Sequence, residues 1–82
     1  MHQYNGYSEE TVNRILQDYI EKIFAFALKR TRNRHDAEDL SQDIVIEVLR
    51  SSSSLKDLNA INGWLWAIAK NTWKRWVYRR VR

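Results

Sequence analysis

The residues best suited to chemistry are the basic and aromatic ones near the end of the chain. Residues 63–82 contain six lysines and arginines and no acid. Cations at this density neutralise phosphates, and exposed aromatic rings stack on bases that have left a duplex. Asn71 can add hydrogen bonds to a base edge. The pattern therefore predicts contact with nucleic acid. The aromatic residues that alternate with these cations are Trp66, Trp73, Trp76 and Tyr78.

Two other interpretations of this segment stay open from its composition. A basic tail that is merely solvated has the same charge, and a helix lying on a membrane surface has a similar mixture of cations and aromatic rings. The membrane interpretation is disfavoured because so small a domain needs the apolar face of this helix to complete its own core. Trp76 falls on that core face, and Trp64 and Trp73 fall on its border, so Trp66 is the tryptophan with the best prospect of stacking.

The rest of the chain has the opposite charge balance. Residues 1–62 hold ten acids against eight lysines and arginines. Helical spacing places an acidic stripe around one apolar residue, Ile46, which can anchor a partner helix that has a basic rim. A solvated face with a singly exposed isoleucine is the alternative. The polar members of the stripe are Asp39, Gln42, Asp43 and Glu47.

Catalytic and metal sites find little support in the sequence. His2 and His35 have no cysteine and no carboxylate at a spacing typical of metal ligands. No serine follows a nucleophile-elbow pattern, and two glycines cannot build a phosphate-cradling loop. The sequence therefore predicts a binding domain that is not an enzyme and that holds no metal or cofactor.

Three helical blocks must position these residues. The first is predicted to begin after Ser8, the second at Asp36 and the third near Asn59, with a linker at Ser51–Ser54 within a loop over 51–58. With 82 residues, no proline and no cysteine, the chain is predicted to form a single all-α domain over 1–82, with 1–7 flexible. No signal peptide or membrane-length apolar run is present, which favours a cytoplasmic protein. The core-facing residues predicted for the first block are Val12, Ile15, Leu16, Tyr19, Ile20, Ile23, Phe26 and Ala27, for the second Ala37, Leu40, Ile44, Val45 and Val48, and for the third Ile61, Leu65, Ile68, Ala69, Thr72 and Trp76.

Two spaced motifs give the chain a family resemblance. HDAEDLSQDIVIEVLR is followed, after about a dozen residues, by WLWAIAKNTWKRWVYRR. These runs resemble region 2 of the extracytoplasmic-function group of bacterial sigma-70-type factors, with one motif at 37–43 and the other at 64–71. The resemblance extends over residues 12–80 and implies a compact bundle of three to four helices.

The resemblance implies roles in transcription initiation. The helix of the first motif is similar to the one that docks on the clamp helices of the RNA polymerase β′ subunit, a role that would fall to Asp39, Gln42, Asp43, Ile46 and Glu47. The second motif and its helix look like the part that reads the minus-ten promoter element. Asn71 would help line a pocket for a base flipped from the non-template strand. The loop that helps capture that base corresponds to Ser54, Leu55, Lys56, Asp57, Leu58 and Asn59; contacts to DNA would come from Lys70, Lys74, Arg75, Tyr78, Arg79 and Arg80.

The chain also departs from the family pattern. A complete factor has a second helical domain that reads the minus-thirty-five element, and nothing after Arg82 supplies it. The sequence is therefore either a domain of a longer protein or a short relative with a different task, such as a regulator that binds polymerase or an anti-sigma factor without reading DNA. A general module for single-stranded nucleic acid is another. We expect the acidic helix and the basic helix to perform separate tasks.

Overall fold

A computed structural model describes residues 6–81, which form four α-helices and no β-strand within that range. The helices are α1 (Glu9–Leu16), α2 (Ile20–Thr31), α3 (Arg34–Arg50) and α4 (Ile61–Arg80). The predicted all-α class is confirmed. None of the helices in this range is long and apolar enough to cross a membrane.

The first predicted block is two helices rather than one. Ser8 caps α1, since its Oγ accepts a hydrogen bond from the backbone N–H of Thr11 at 3.2 Å. A 3-10 helix at Gln17–Tyr19 then separates α1 from α2. The tighter winding of a 3-10 helix changes the direction in which later side chains point. Ile20, predicted to face the core, is consequently exposed.

The junction between α2 and α3 is built by two adjacent residues. Arg32 takes a left-handed conformation (φ 57°), and its N–H donates to the carbonyl of Leu28 at 2.7 Å, which closes α2. Asn33 then caps α3, because its Oδ1 accepts from the N–H of Asp36 at 3.0 Å. The predicted start at Asp36 is therefore wrong, and the helix begins at Arg34.

Helix α3 lies at the centre and packs against α1, α2 and α4. Its predicted core face is confirmed, except that Val45 is only partly buried. The predicted core face of α4 is also confirmed, with Ile61 and Ile68 partly buried at its edge. Close packing of these side chains fixes the relative rotation of α3 and α4, which positions their exposed residues. The buried apolar residues are Val12, Leu16, Ile23, Ala27, Ala37, Leu40, Ile44, Val48, Leu55, Leu65, Ala69 and Trp76.

The connection between α3 and α4 contains two short 3-10 helices, Ser52–Ser54 and Leu58–Ala60. Asn59 does not cap α4 as the sequence predicts. Instead, the Asp57 carboxylate accepts from the Asn59 N–H at 3.0 Å and so caps the second short helix. That helix leads directly into α4, which has no side-chain cap.

The beginning of the chain is held against this connection. The N–H of Tyr7 donates to the carbonyl of Leu55 at 3.2 Å, and the Tyr7 side chain packs on the core. A Cβ at Gly6 would lie 2.0 Å from the carbonyl oxygen of Ser53, so only glycine fits there. The flexibility predicted for 1–7 stays a prediction, and these contacts of Gly6 and Tyr7 argue against it at the end of that segment. Residues 1–5 of that prediction, and His2 among them, lie outside the described residues.

Candidate nucleic-acid and protein-binding surfaces

The acidic stripe of α3 is located where the sequence predicts it. Asp39, Gln42 and Ile46 are exposed, and Asp43 and Glu47 are partly buried. Ile46 has 49 % of its surface exposed, a large fraction for an isoleucine. Such a residue is available to a partner without any rearrangement of the domain.

The acids of this stripe are paired with the arginines of α4. Arg75 Nη2 lies 3.6 Å from Glu47 Oε1, and Arg79 Nη2 lies 3.2 Å from Asp43 Oδ2. Arg80 pairs with Asp36 and stacks on the Trp76 ring at 4.4 Å from its centroid. We call these three pairs the α3–α4 ladder. Its register shows that the two helices run antiparallel, since later positions on α3 meet earlier positions on α4.

A hydrogen bond lies within the ladder. The indole Nε1 of Trp76 donates to Asp39 Oδ2 at 3.0 Å. Trp76 is buried in the core with only 7 % of its surface exposed, so its polar atom needs a partner at the edge of the core. Asp39 supplies that partner. This predicted polymerase-binding residue therefore also holds α3 and α4 together.

The sequence therefore identifies the residues of the two surfaces but misses the contacts between them. The predicted DNA-binding arginines and the predicted polymerase-binding acids meet along one edge. Exposed ion pairs contribute only about 0–1 kcal/mol each to stability. Phosphates can therefore replace the carboxylates beside the arginines, and a basic partner can replace the arginines beside the acids. The sequence did contain one indication of these contacts: acids recur at 36, 39, 43 and 47, and basic residues recur at 75, 79 and 80.

The remaining predicted DNA-binding residues of α4 are exposed and unpaired. Lys70, Lys74, Asn71 and Tyr78 all lie on the surface. Within residues 6–81, neither lysine has an ion-pair partner, and no hydrogen bond is made by the Asn71 side chain. These four side chains are free to contact a ligand as the domain stands.

The loop predicted to help capture a flipped base contains one residue that cannot do so. Leu55 is 1 % exposed and belongs to the core, so its assignment to a base-contacting set is wrong. Leu55 lies between the two short helices, and its side chain belongs to the core cluster. The other predicted loop residues, Ser54, Lys56, Asp57, Leu58 and Asn59, are exposed.

The loop is tied to the second motif by Trp64. Its Nε1 donates to Ser54 Oγ at 2.9 Å, and Ser54 Oγ in turn donates to the carbonyl of Ser51 at 2.7 Å. Trp64 thus fixes the position of the loop relative to the first turn of α4. The sequence shows both residues but gives no sign of this contact.

An open apolar groove beside Ile46 is a further feature that the sequence does not reveal. It lies between α2 and α3 and has a volume of about 690 Å³. Ser41 lines the groove, and its buried Oγ has no hydrogen-bond partner in the described part of the chain. The other lining residues are Ile20, Glu21, Ile23, Phe24, Glu38, Gln42, Val45 and Ile46.

Across residues 6–81, no three side chains of the metal-ligating types come together. His35 is exposed on the first turn of α3, away from any such group.

Comparison with known families identifies this arrangement of helices. The profile of sigma-70 region 2 matches residues 15–82, which include all of α2, α3 and α4. The chain belongs to the sigma-70 region 2 family. This match confirms the resemblance that the two motifs gave, and it assigns α2, α3 and α4 to a region 2 domain.

Two relatives resemble this region 2 domain along most of its length. RNA polymerase sigma factor YlaC of Bacillus subtilis is 27 % identical over 73 residues, which cover 89 % of this chain and 42 % of the relative. ECF RNA polymerase sigma factor SigE of Mycolicibacterium smegmatis is 32 % identical over 68 residues, which cover 83 % and 26 % respectively. The domain therefore spans less than half the length of these relatives. No solved structure gives a significant match.

Proposed function

We propose that this region 2 domain binds core RNA polymerase through α3 and recognises the minus-ten promoter element through α4 and the loop before it. The observation that carries the proposal is the placement of the two motifs. Each lies in a helix of its own, and the residues to which the resemblance gives a role are exposed on these helices, except that Asp43 and Glu47 are partly buried. The reaction chemistry would belong to the polymerase, and the domain would supply binding energy.

Docking to polymerase would use the exposed centre of α3. Gln42 and Ile46 are one helical turn apart on the same face, and both border the apolar groove between α2 and α3. An exposed apolar anchor surrounded by carboxylates fits a partner helix that has apolar residues and a basic rim. The clamp helices of the polymerase β′ subunit are the partner that we propose.

Promoter binding would use two kinds of basic residue on α4, those that are unpaired and those that are already paired with acids. Lys70 and Lys74 are unpaired in the described chain and can contact phosphates at once. Arg75, Arg79 and Arg80 must first exchange their carboxylates for phosphates. Such contacts position the domain without reading sequence. Recognition of the base sequence would come from Asn71 and the exposed loop residues, which would hold a base after it has left the stack.

A pull-down of bacterial RNA polymerase core by the purified domain tests the proposal. Gln42→Ala combined with Ile46→Ala should abolish capture, because the pair removes the amide and the apolar anchor without touching the ladder. The matched control is Gln17→Ala with Leu28→Ala, which changes one exposed amide and one exposed apolar residue elsewhere. Failure of the well-folded wild-type domain to capture core would overturn the polymerase role.

The ladder favours one second candidate. Three of the basic residues assigned to DNA are already paired with acids, as expected for a regulator that binds polymerase or an anti-sigma factor without reading DNA. The two candidates differ in their behaviour toward promoter DNA. A complex of core and domain that selects a melted minus-ten strand supports the first, and a complex that binds core without any such selection supports the second.

A further inference from the structure

Two residues that precede α1 lie against the loop between α3 and α4. The N–H of Tyr7 donates to the carbonyl of Leu55 at 3.2 Å, and the Tyr7 side chain packs on the core. Gly6 lies so close to the backbone of Ser53 that a Cβ on Gly6 would overlap the Ser53 carbonyl group. The polymerase and promoter contacts proposed above use neither Gly6 nor Tyr7. We call these two residues the strap.

The loop is held from its other side by α4. Trp64 Nε1 donates to Ser54 Oγ at 2.9 Å, while the strap contacts the residues on either side of Ser54. Inside the loop, the N–H of Ser54 donates to Ser51 at 2.8 Å and that of Leu55 donates to Ser52 at 3.1 Å. A 3-10 helix of three residues has poor hydrogen-bond geometry. The loop conformation therefore depends on the strap and on Trp64 as well as on its own bonds.

The strap fixes the point from which the exposed part of the loop departs. Leu55 has an extended backbone (φ −82°, ψ 113°) and is directly followed by the exposed residues. Ordering the backbone of one residue costs about 1–2 kcal/mol of conformational entropy, and a loop that is ordered before the ligand arrives avoids that cost on binding. The exposed residues that benefit are Lys56, Asp57, Leu58 and Asn59.

We propose that Gly6 and Tyr7 are positioning residues for base recognition, because they hold the loop in the conformation that presents its exposed side chains to a flipped base. The inference rests on the minus-ten role proposed above and extends it to a segment outside both motifs. Gly6 acts through its missing Cβ, which lets the chain pass the Ser53 carbonyl. Tyr7 acts through its N–H and through the ring that anchors the strap on the core.

Amide hydrogen exchange of the purified domain, followed by NMR, tests the strap without DNA. Gly6→Ala should raise the exchange rates of the Ser54 and Leu55 amides about tenfold or more, because the loop opens locally when the strap is displaced. The amide of Ala37, bonded at the start of α3, should keep its rate. Gly63→Ala is the matched control, since its added Cβ would meet nothing within 4 Å. It should leave the loop amides within about twofold of wild type.

The consequence for recognition is tested with variants of the tyrosine ring. In a complex with core polymerase, Tyr7→Ala should raise the Kd for a strand selected by the wild-type complex about fivefold. Tyr7→Phe keeps the ring on the core and should restore the wild-type Kd. Tyr19→Ala removes another partly buried tyrosine that packs on the core, away from the loop. It should leave the Kd within about twofold of wild type. All three should retain capture of core.

Several results would overturn the strap. They are unchanged exchange of the loop amides in Gly6→Ala, an equal rise at Ala37, equal effects of the two tyrosine-to-alanine variants on Kd, and faster exchange with no change in Kd. The equal rise would show that Gly6 supports only global stability. Where Gly6→Ala does not fold, the exchange rates of Tyr7→Ala and Tyr7→Phe decide the same question. Failure of the wild-type complex to select any strand would overturn the minus-ten role, whereas the exchange experiment contains no DNA and decides the strap contacts by itself.

Discussion

The indole Nε1 of Trp76 and the Oδ2 of Asp39 lie 3.0 Å apart in a hydrogen bond between α4 and α3. The donor belongs to a buried ring, and the acceptor belongs to an exposed carboxylate. The bond joins the helix proposed to bind DNA to the helix proposed to bind polymerase. A partner that binds the Asp39 carboxylate would therefore also weaken the packing of α4 against α3.

Trp76→Phe should lower the free energy of unfolding by about 1.5–3 kcal/mol. The substitution keeps an aromatic ring in the core but removes the donor, and a hydrogen bond to a charged acceptor contributes about this much. Urea denaturation measures the change. Trp73→Phe is the control, since the Trp73 indole makes no hydrogen bond within residues 6–81. It should lower the free energy of unfolding by less than Trp76→Phe does. Equal losses in the two variants would show that the bond contributes nothing beyond ring size.

Breaking the ladder from the acidic side should strengthen the binding of duplex DNA. In the triple variant Asp36→Asn, Asp43→Asn and Glu47→Gln, three arginines lose their carboxylates. Each arginine that gains a phosphate adds about 0.9 to the salt slope on a duplex, or about 2.7 in total. Anisotropy of a labelled duplex across a salt series measures this slope.

The control for the ladder has the same charge change at acids without a partner. Glu9→Gln, Asp18→Asn and Glu21→Gln alter exposed carboxylates that form no ion pair in the described chain. Their effect on affinity comes from net charge alone and should be smaller. If both triple variants changed the slope equally, the ladder would not restrain the arginines.

What the sequence could predict follows from periodicity within single helices. Apolar spacing identified the buried residues Leu40, Ile44 and Val48 on α3 and Leu65 and Ala69 on α4, because a helix repeats at 3.6 residues whatever surrounds it. The same spacing correctly placed Ile46 and Lys74 on the surface. Two spaced motifs were sufficient to identify the family, which the profile match confirms.

What the sequence could not predict depends on how helices meet. The pairing of Glu47 with Arg75 requires the register of α3 against α4, which no pattern within one helix contains. The 3-10 helix at Gln17–Tyr19 interrupts an apolar spacing that is itself uninterrupted, so tertiary packing overrides the local pattern there. The burial of the loop residue Leu55 could not be predicted because most of the residues around it are polar.

Leu55→Ala should destabilise the domain by about 2–5 kcal/mol, because it removes a fully buried side chain and leaves a cavity. Leu58→Ala, three residues later in the same connection, alters an exposed leucine and should cost about 0.5 kcal/mol. Thermal or urea unfolding measures both. A small effect of Leu55→Ala on stability with a large effect on DNA binding would restore Leu55 to the base-contacting loop.

Ser41→Ala should raise the free energy of unfolding by about 1 kcal/mol. The Ser41 Oγ is buried without a hydrogen-bond partner in the described chain, and the desolvation cost of such an atom disappears with it. The control Gln42→Ala changes an exposed residue at the next position of α3. It measures the gain in stability that comes from helix propensity alone, about 0.4 kcal/mol. A fall in stability on Ser41→Ala would show that the hydroxyl is hydrogen-bonded in solution.

Asn71→Ala should remove sequence reading while leaving polymerase binding intact. Core polymerase with the wild-type domain should enrich a motif from a pool of random single strands, and the Asn71→Ala domain should lose the preference at one position of that motif. Its Kd for the enriched strand should rise about tenfold, as expected for the loss of one set of base-edge hydrogen bonds. The control Asn13→Ala, exposed on α1, should enrich the same motif as wild type. Loss of core binding by Asn71→Ala to the same extent as loss of strand binding would show that α3 and α4 do not perform separate tasks.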